Sequence, residues 1–230
     1  PWGTLVATGL VLAVYLFVQD GWTSWRSPVT IPFRAWSYFY PLGMATAAFS
    51  HSGAGHLVGN LVGTLALAPL AEYAWGHFPR RRGTQTFTSP LTNPYVRAFV
   101  AFPAAVVAVG LFTSAFALGP VIGFSGVVFA LWGIALVFYP LSTVAALTGA
   151  TLVNVTYETL RNPVVVAEAS GSYGAPSWAN IAVQSHAIGL IAGVLAAGWL
   201  IRYRRRRGAG DPTGRRSRTA GLAVFGAVLL

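Results

Sequence analysis

Long apolar stretches, separated by short polar breaks, are the feature that most limits how this chain can fold. Only 9% of its 230 residues are charged. An ordinary soluble domain carries about a quarter charged residues, so this chain cannot cover a water-facing surface. It also has no cysteine, which excludes a secreted domain held together by disulfides. The pattern therefore predicts an all-α, polytopic bundle of transmembrane helices, each of about 20 apolar residues.

Six of these stretches predict six membrane spans. They cover residues 4–18, 55–75, 95–116, 125–139, 141–159 and 178–201. The fourth would form a helix only about 22 Å long, whereas the hydrocarbon core of a membrane is about 30 Å thick. A helix that begins at Ser125 is therefore expected to start inside the membrane rather than at its surface.

Composition divides the chain into three parts. Residues 1–203 are expected to form the membrane core, residues 204–218 a basic cytoplasmic linker, and residues 219–230 the beginning of a seventh span that the sequence cuts short. Because the chain begins at Pro1 rather than Met, we expect a fragment or a processed form. The connection 20–41 is rich in aromatic residues, which suit the headgroup layer of a membrane.

The net charge of +10 arises from fifteen arginines and five acidic residues. Eleven of the fifteen arginines lie in segments 80–93 and 202–218, which six alternating spans place on one side of the membrane. The positive-inside rule makes that side cytoplasmic, so the second, fourth and sixth spans begin at the outer side. The basic charge is then explained by the orientation of the protein in the membrane, and it favours contact with anionic lipid. No nucleic-acid partner is expected. We expect a multi-pass protein of the cell membrane.

Polar side chains within a span are costly and indicate function by default. His56 and Asn60 are four residues apart and share a helical face. His186 follows Trp178 by eight residues, roughly 12 Å along a helix. Together with Ser125, these residues map to a similar depth in the outer half of the membrane. Singly, each could be a structural hydrogen-bonding group, but their shared depth favours a common site.

Three motifs on these spans resemble those of the rhomboid intramembrane serine proteases. They are Gly123-Phe124-Ser125-Gly126, similar to GxSG; His51 with His56 and Asn60, similar to the second-helix pattern; and His186 with Gly189 and Gly193, similar to the sixth-helix pattern. The motifs occur in the family's order, and the resemblance covers about residues 1–203, a six-span core.

The resemblance implies a serine endopeptidase that cuts single-span membrane proteins in or near their transmembrane segments. Ser125 would be the nucleophile and His186 the general base. His56, Asn60 and the backbone amide of Ser125 would stabilise the oxyanion. Span five and the loop 161–176 would admit the substrate. The resemblance implies no metal and no organic cofactor.

Supporting roles fall to residues around the dyad. These are His51, Gly123, Gly126, Phe129, Gly189 and Gly193. Phe129 lies one turn below Ser125, where many family members have Tyr, and its ring could pack on His186. Small residues on spans four and six would let the two helices approach closely. The first loop departs from the family, because Trp25-Arg26 lies far upstream of His51.

Other classes of protein fit the sequence less well. A rhomboid-like scaffold that binds membrane clients without cutting them would lack the serine or the histidine, and this chain has both. A transporter would carry internal repeats and mid-membrane charges, and neither is seen. The metalloprotease motif His-Glu-x-x-His is absent. A Gly-x-Gly-Asp sequence at 208–211 lies in the basic linker, away from any span. The natural substrate and the oligomeric state stay open.

Overall fold

The computed structural model describes residues 1–75, 93–116, 121–161 and 183–206, most of which are helical. The helices are α1 (Trp2–Ala13), α2 (Pro41–Thr46), α3 (Ala54–Trp75), α4 (Pro94–Val96), α5 (Phe102–Phe116), α6 (Ser125–Phe138), α7 (Pro140–Arg161) and α8 (Val183–Arg206). Two π-helical turns, Val14–Val18 and Arg97–Ala101, extend α1 and join α4 to α5. A 3-10 turn covers Ile31–Phe33. The described ranges contain no strand, only an isolated bridge between Ala35 and Val121.

The all-α prediction is confirmed, and the described residues of the six predicted stretches are helical except for Tyr139. The fourth predicted stretch forms α6, which begins at Ser125 as predicted and ends at Phe138, one residue earlier than predicted. The fifth predicted stretch forms α7, which is longer than predicted: it begins at Pro140 and ends at Arg161. The predicted start of the sixth stretch, together with the loop 162–176 and residues 207–230, lies outside the described residues.

Three helical segments of the described chain are long and apolar enough to cross a membrane. They span residues 54–75, 94–116 and 184–203. Residues 2–18 and 125–138 form shorter apolar helices. Helix α7 has 22 residues but is not in either group, since it carries five threonines together with Asn154, Glu158 and Arg161.

Helix α6 occupies the middle of the bundle and contacts α3, α5, α7 and α8. Its largest interface is with α8, where helical backbones meet almost without side chains between them. A Cβ atom at Gly189 would overlap the carbonyl oxygen of Gly126, and one at Gly193 would overlap that of Ala130. The predicted close approach of these two helices through small residues is thus confirmed.

A buried carboxylate joins α1 to the far end of α3. Glu72 is fully buried, and its two oxygens accept hydrogen bonds from the backbone N–H groups of Gly3 (2.9 Å) and Thr4 (2.8 Å). The hydroxyl of Thr4 donates a third, at 2.7 Å. These N–H groups belong to the first turn of α1, where they have no intrahelical acceptor and where a negative charge is favourable. Glu72 therefore fixes the start of α1 against α3.

We expect Glu72→Gln to destabilise the protein by about 2–3 kcal/mol, since an amide cannot accept from all three donors and carries no charge for them. Unfolding by denaturant in detergent micelles measures this. The control is Asp20→Asn, because Asp20 is exposed and its carboxylate accepts only from Thr23 within the described residues. Equal stability of the two variants would contradict the role given to Glu72.

Candidate active site

The segment that leads into α6 is hydrogen-bonded to residues 35–51. The backbone N–H of Ala35 donates to the carbonyl of Val121 at 3.1 Å, and that of Gly123 donates to Ala47 at 2.8 Å. Residues 47–51 are all buried. Gly123 has a φ of +127°, which side-chain-bearing residues rarely adopt. This turn brings Ser125 to the first position of α6, where helical N–H groups have no intrahelical partner.

Ser125 and His186 meet across the α6–α8 interface. The hydroxyl oxygen of Ser125 lies 2.8 Å from Nε2 of His186. The ring of Phe129, one turn along α6, stacks on the imidazole with centroids 4.3 Å apart and planes at 3°. His186 is only 6% exposed. The ring packing predicted for Phe129 is confirmed, and it holds the imidazole plane so that Nε2 faces the serine.

His56 lies on the first turns of α3, beside the turn that leads into α6. A Cβ atom at Gly123 would stand 2.6 Å from Nε2 of His56 and would overlap its Cε1. On the other side of the ring, Nδ1 is 3.0 Å from the hydroxyl oxygen of Ser52. The ring of His51 packs edge-on at 5.2 Å. Gly123 is therefore required both by its φ angle and by the nearness of the His56 ring.

Asn60 is level with Ser125 on the neighbouring helix. Three residues further along α3, a Cβ atom at Gly63 would lie 2.9 Å from Val128, which is itself three residues beyond Ser125. Asn60 is 6% exposed, and among the described residues its amide nitrogen Nδ2 has no hydrogen-bond partner. A buried donor without a partner is costly. Nδ2 could therefore donate to a negatively charged group that comes to lie beside it.

His51 precedes α3 and is fully buried. Its backbone is held by Gln19, whose amide donates to the carbonyl of His51 at 2.9 Å and whose oxygen accepts from the N–H of His51 at 2.7 Å. The same amide donates to Val29 at 2.8 Å. Within the described ranges neither ring nitrogen of His51 has a hydrogen-bond partner. The structure thus places the His51 ring against that of His56.

Two polar residues that hydrogen-bond the histidines of the site, Gln19 and Ser52, were not predicted from the sequence. Gln19 stands at the end of the first apolar stretch, where a polar residue is expected at a membrane boundary in any case. Ser52 lies between His51 and Ala54 in a short connection without periodicity. The one available signal for Ser52 is its spacing of four residues before His56, the distance of one helical turn.

Acidic residues and clusters of metal-binding side chains are absent from the parts of the site that the structure describes. Helix α8 contains no acidic residue, so none on that helix adjoins His186. The described part of the chain contains no group of three or more His, Cys, Asp or Glu residues able to hold a metal ion.

Comparison with known proteins identifies the family. A family model described as the Rhomboid domain matches residues 36–204. The chain therefore belongs to the rhomboid family and is an integral, multi-pass membrane protein. No curated protein and no solved structure matches it at the threshold applied. The matched segment includes all three motifs noted in the sequence, whereas α1 precedes it.

The glycine contacts between α6 and α8 generate a prediction for Gly189→Ala. The added methyl group would meet the Gly126 carbonyl and push the helices apart, which separates His186 from Ser125. We expect a stability loss of about 1–3 kcal/mol, typical of overpacking, and slower reaction of Ser125 with a fluorophosphonate.

The matched control is Gly198→Ala on the same helix, since a Cβ there meets nothing within 4 Å. Alanine at this position is expected to leave labelling unchanged and to stabilise the helix slightly. Indistinguishable labelling of the two variants would show that close helix packing does not maintain the Ser125–His186 contact.

Proposed function

We propose that this rhomboid-family protein is an intramembrane serine endopeptidase with a Ser125–His186 dyad. The observation that carries the proposal is the 2.8 Å contact between the serine oxygen and Nε2 of the imidazole, at the amino end of a short apolar helix. A hydroxyl becomes an effective nucleophile when an adjacent base takes its proton. The stacked Phe129 ring supports this role for His186 by fixing its plane.

The proposed reaction proceeds through an acyl-enzyme. The oxygen of Ser125 attacks the carbonyl carbon of the scissile peptide bond while its proton passes to Nε2 of His186. The tetrahedral intermediate then breaks its C–N bond, and the leaving amine takes the proton from His186. Water next attacks the ester and gives a proton to His186, and the second intermediate releases the carboxylic acid as Ser125 recovers its proton.

Stabilisation of the oxyanion is assigned to His56, Asn60 and the backbone N–H of Ser125. Each is a donor near the amino end of α6, where the helix dipole also favours negative charge. Support comes from the unpaired Nδ2 of Asn60 and from the side of the His56 ring that faces Gly123. Donors that are fixed before the reaction need no reorganisation when the charge develops.

The proposed substrates are single-span membrane proteins, cut in or near the transmembrane segment. A transmembrane helix pairs its own backbone groups, so the cut region must unwind before the peptide bond becomes accessible. Entry would occur past α7 and the segment that follows it. The site is proposed to open toward the extracytoplasmic side of the cell membrane. Supporting this orientation, the exposed Arg202, Arg205 and Arg206 lie at the end of α8 remote from His186.

Purified protein in liposomes should cleave a model single-span substrate whose transmembrane segment contains small, helix-weakening residues. We expect Ser125→Ala to abolish cleavage and His186→Ala to reduce it by at least about a thousandfold, because the nucleophile or its base is lost. Product masses locate the cut. Cleavage that survives in Ser125→Ala would exclude the dyad. If the wild type binds but cuts no member of a broad substrate panel, the protein is a non-catalytic scaffold instead.

The oxyanion donors have a separate kinetic signature. His56→Ala and Asn60→Ala should each lower kcat by about a hundredfold or more, with little change in KM, because these donors act on charge that exists only in the transition state. Steady-state kinetics on the model substrate measure this. Thr8→Ala is the control, since Thr8 lies on α1 rather than on the proposed entry helix, and its hydroxyl donates to the Thr4 carbonyl of its own helix. A rise in KM at constant kcat would assign His56 and Asn60 to ground-state binding.

A further inference from the structure

Ser52 is placed where it can control the protonation pattern of the His56 ring. Its hydroxyl oxygen lies 3.0 Å from Nδ1 of His56, four residues later in the chain. No other group among the described residues forms a hydrogen bond with this ring. Ser52 precedes α3, is exposed, and occupies one of the four positions between His51 and His56 that the second-helix pattern leaves unspecified.

The two nitrogens of the His56 ring face different surroundings. Nδ1 faces Ser52, whereas Nε2 faces Gly123, two residues before Ser125. A neutral imidazole carries one proton, on one nitrogen or the other. Only the tautomer with the proton on Nε2 offers a donor toward the reacting serine. The opposite tautomer would direct a lone pair at the oxyanion and repel it.

We propose that Ser52 is a positioning residue that holds His56 in the tautomer with hydrogen on Nε2. The serine hydroxyl donates to Nδ1, which leaves Nε2 as the protonated nitrogen. In metal-binding and catalytic histidines too, the hydrogen bond at one ring nitrogen determines whether the other nitrogen carries the proton. This inference rests on the proposed function, because it concerns the group assigned to the oxyanion.

Among the described residues, Ser52 is the one neighbour of the His56 ring that forms a hydrogen bond with it. The His51 ring packs edge-on against His56, and the backbone at Gly123 leaves no space for a Cβ atom beside Nε2. These neighbours fix where the ring lies, but neither hydrogen-bonds a ring nitrogen. Because Ser52 is exposed, water competes for its hydroxyl, so the effect on the rate is moderate.

Ser52→Ala should therefore lower kcat by about three- to tenfold at unchanged KM, the size expected for one hydrogen bond. Ser52→Thr, which keeps the hydroxyl, should restore most of the rate. The control is Ser37→Ala, which removes another exposed serine whose oxygen accepts only from the backbone of Phe39, and which should leave kcat unchanged. All variants should share the unfolding midpoint of the wild type.

A double-mutant cycle separates positioning of His56 from a general structural effect. The rate of Ser125 labelling by a fluorophosphonate is measured for Ser52→Ala in the wild-type and His56→Ala backgrounds. We expect a three- to tenfold loss in the first and none in the second, since Ser52 acts through His56. Equal losses in both backgrounds, or no loss in either, would overturn the role of Ser52.

The same measurements distinguish this inference from the proposed function. If the wild type cleaves its substrate and Ser125→Ala does not, the dyad stands, and an unaffected Ser52→Ala refutes only the positioning role. If the wild type neither cleaves nor labels at Ser125, the proposed function fails, and the inference about Ser52 fails with it.

Discussion

The close approach of α6 and α8 is the contact on which the rest of the site depends. Ser125 and His186 lie on different helices, 61 residues apart in the chain, and a hydrogen-bonding distance between them requires nearly touching backbones. Gly189 and Gly193 provide this, because any side chain there would overlap a carbonyl of α6. In a membrane no hydrophobic force drives helices together, so small residues that allow backbone packing become the main source of association.

Buried polar groups gather around the amino end of α6. Each polar group must then find a partner or incur a large desolvation cost. The Ala35 N–H is paired with Val121 and the Gly123 N–H with Ala47, just before α6 begins. The Nδ2 of Asn60, in contrast, has no partner within the described residues. An amide held in this way suits the proposed chemistry, in which a negative charge appears only during reaction.

Much of this arrangement could be predicted from the sequence because a membrane leaves few alternatives. Apolar length located the helices, and counting residues from the predicted ends suggested a common depth for Ser125 and His186. Loops offer no such periodicity, so α2, which follows the aromatic connection, was missed, as was Ser52. Gln19 was missed for another reason, because a glutamine at the end of a span looks like an ordinary boundary residue, and its two bonds to the His51 backbone depend on tertiary folding.

Helix α1 illustrates how elements outside the matched family segment can still support the site. The Rhomboid match begins at residue 36, yet both ends of the α1 segment are fixed to the start and end of α3. Glu72 holds its first turn through three hydrogen bonds, and Gln19 holds the segment beyond its last turn against His51. His51 in turn packs on His56. Since α3 carries both His56 and Asn60, these two attachments connect the stability of α1 with the placement of the donors proposed for the oxyanion.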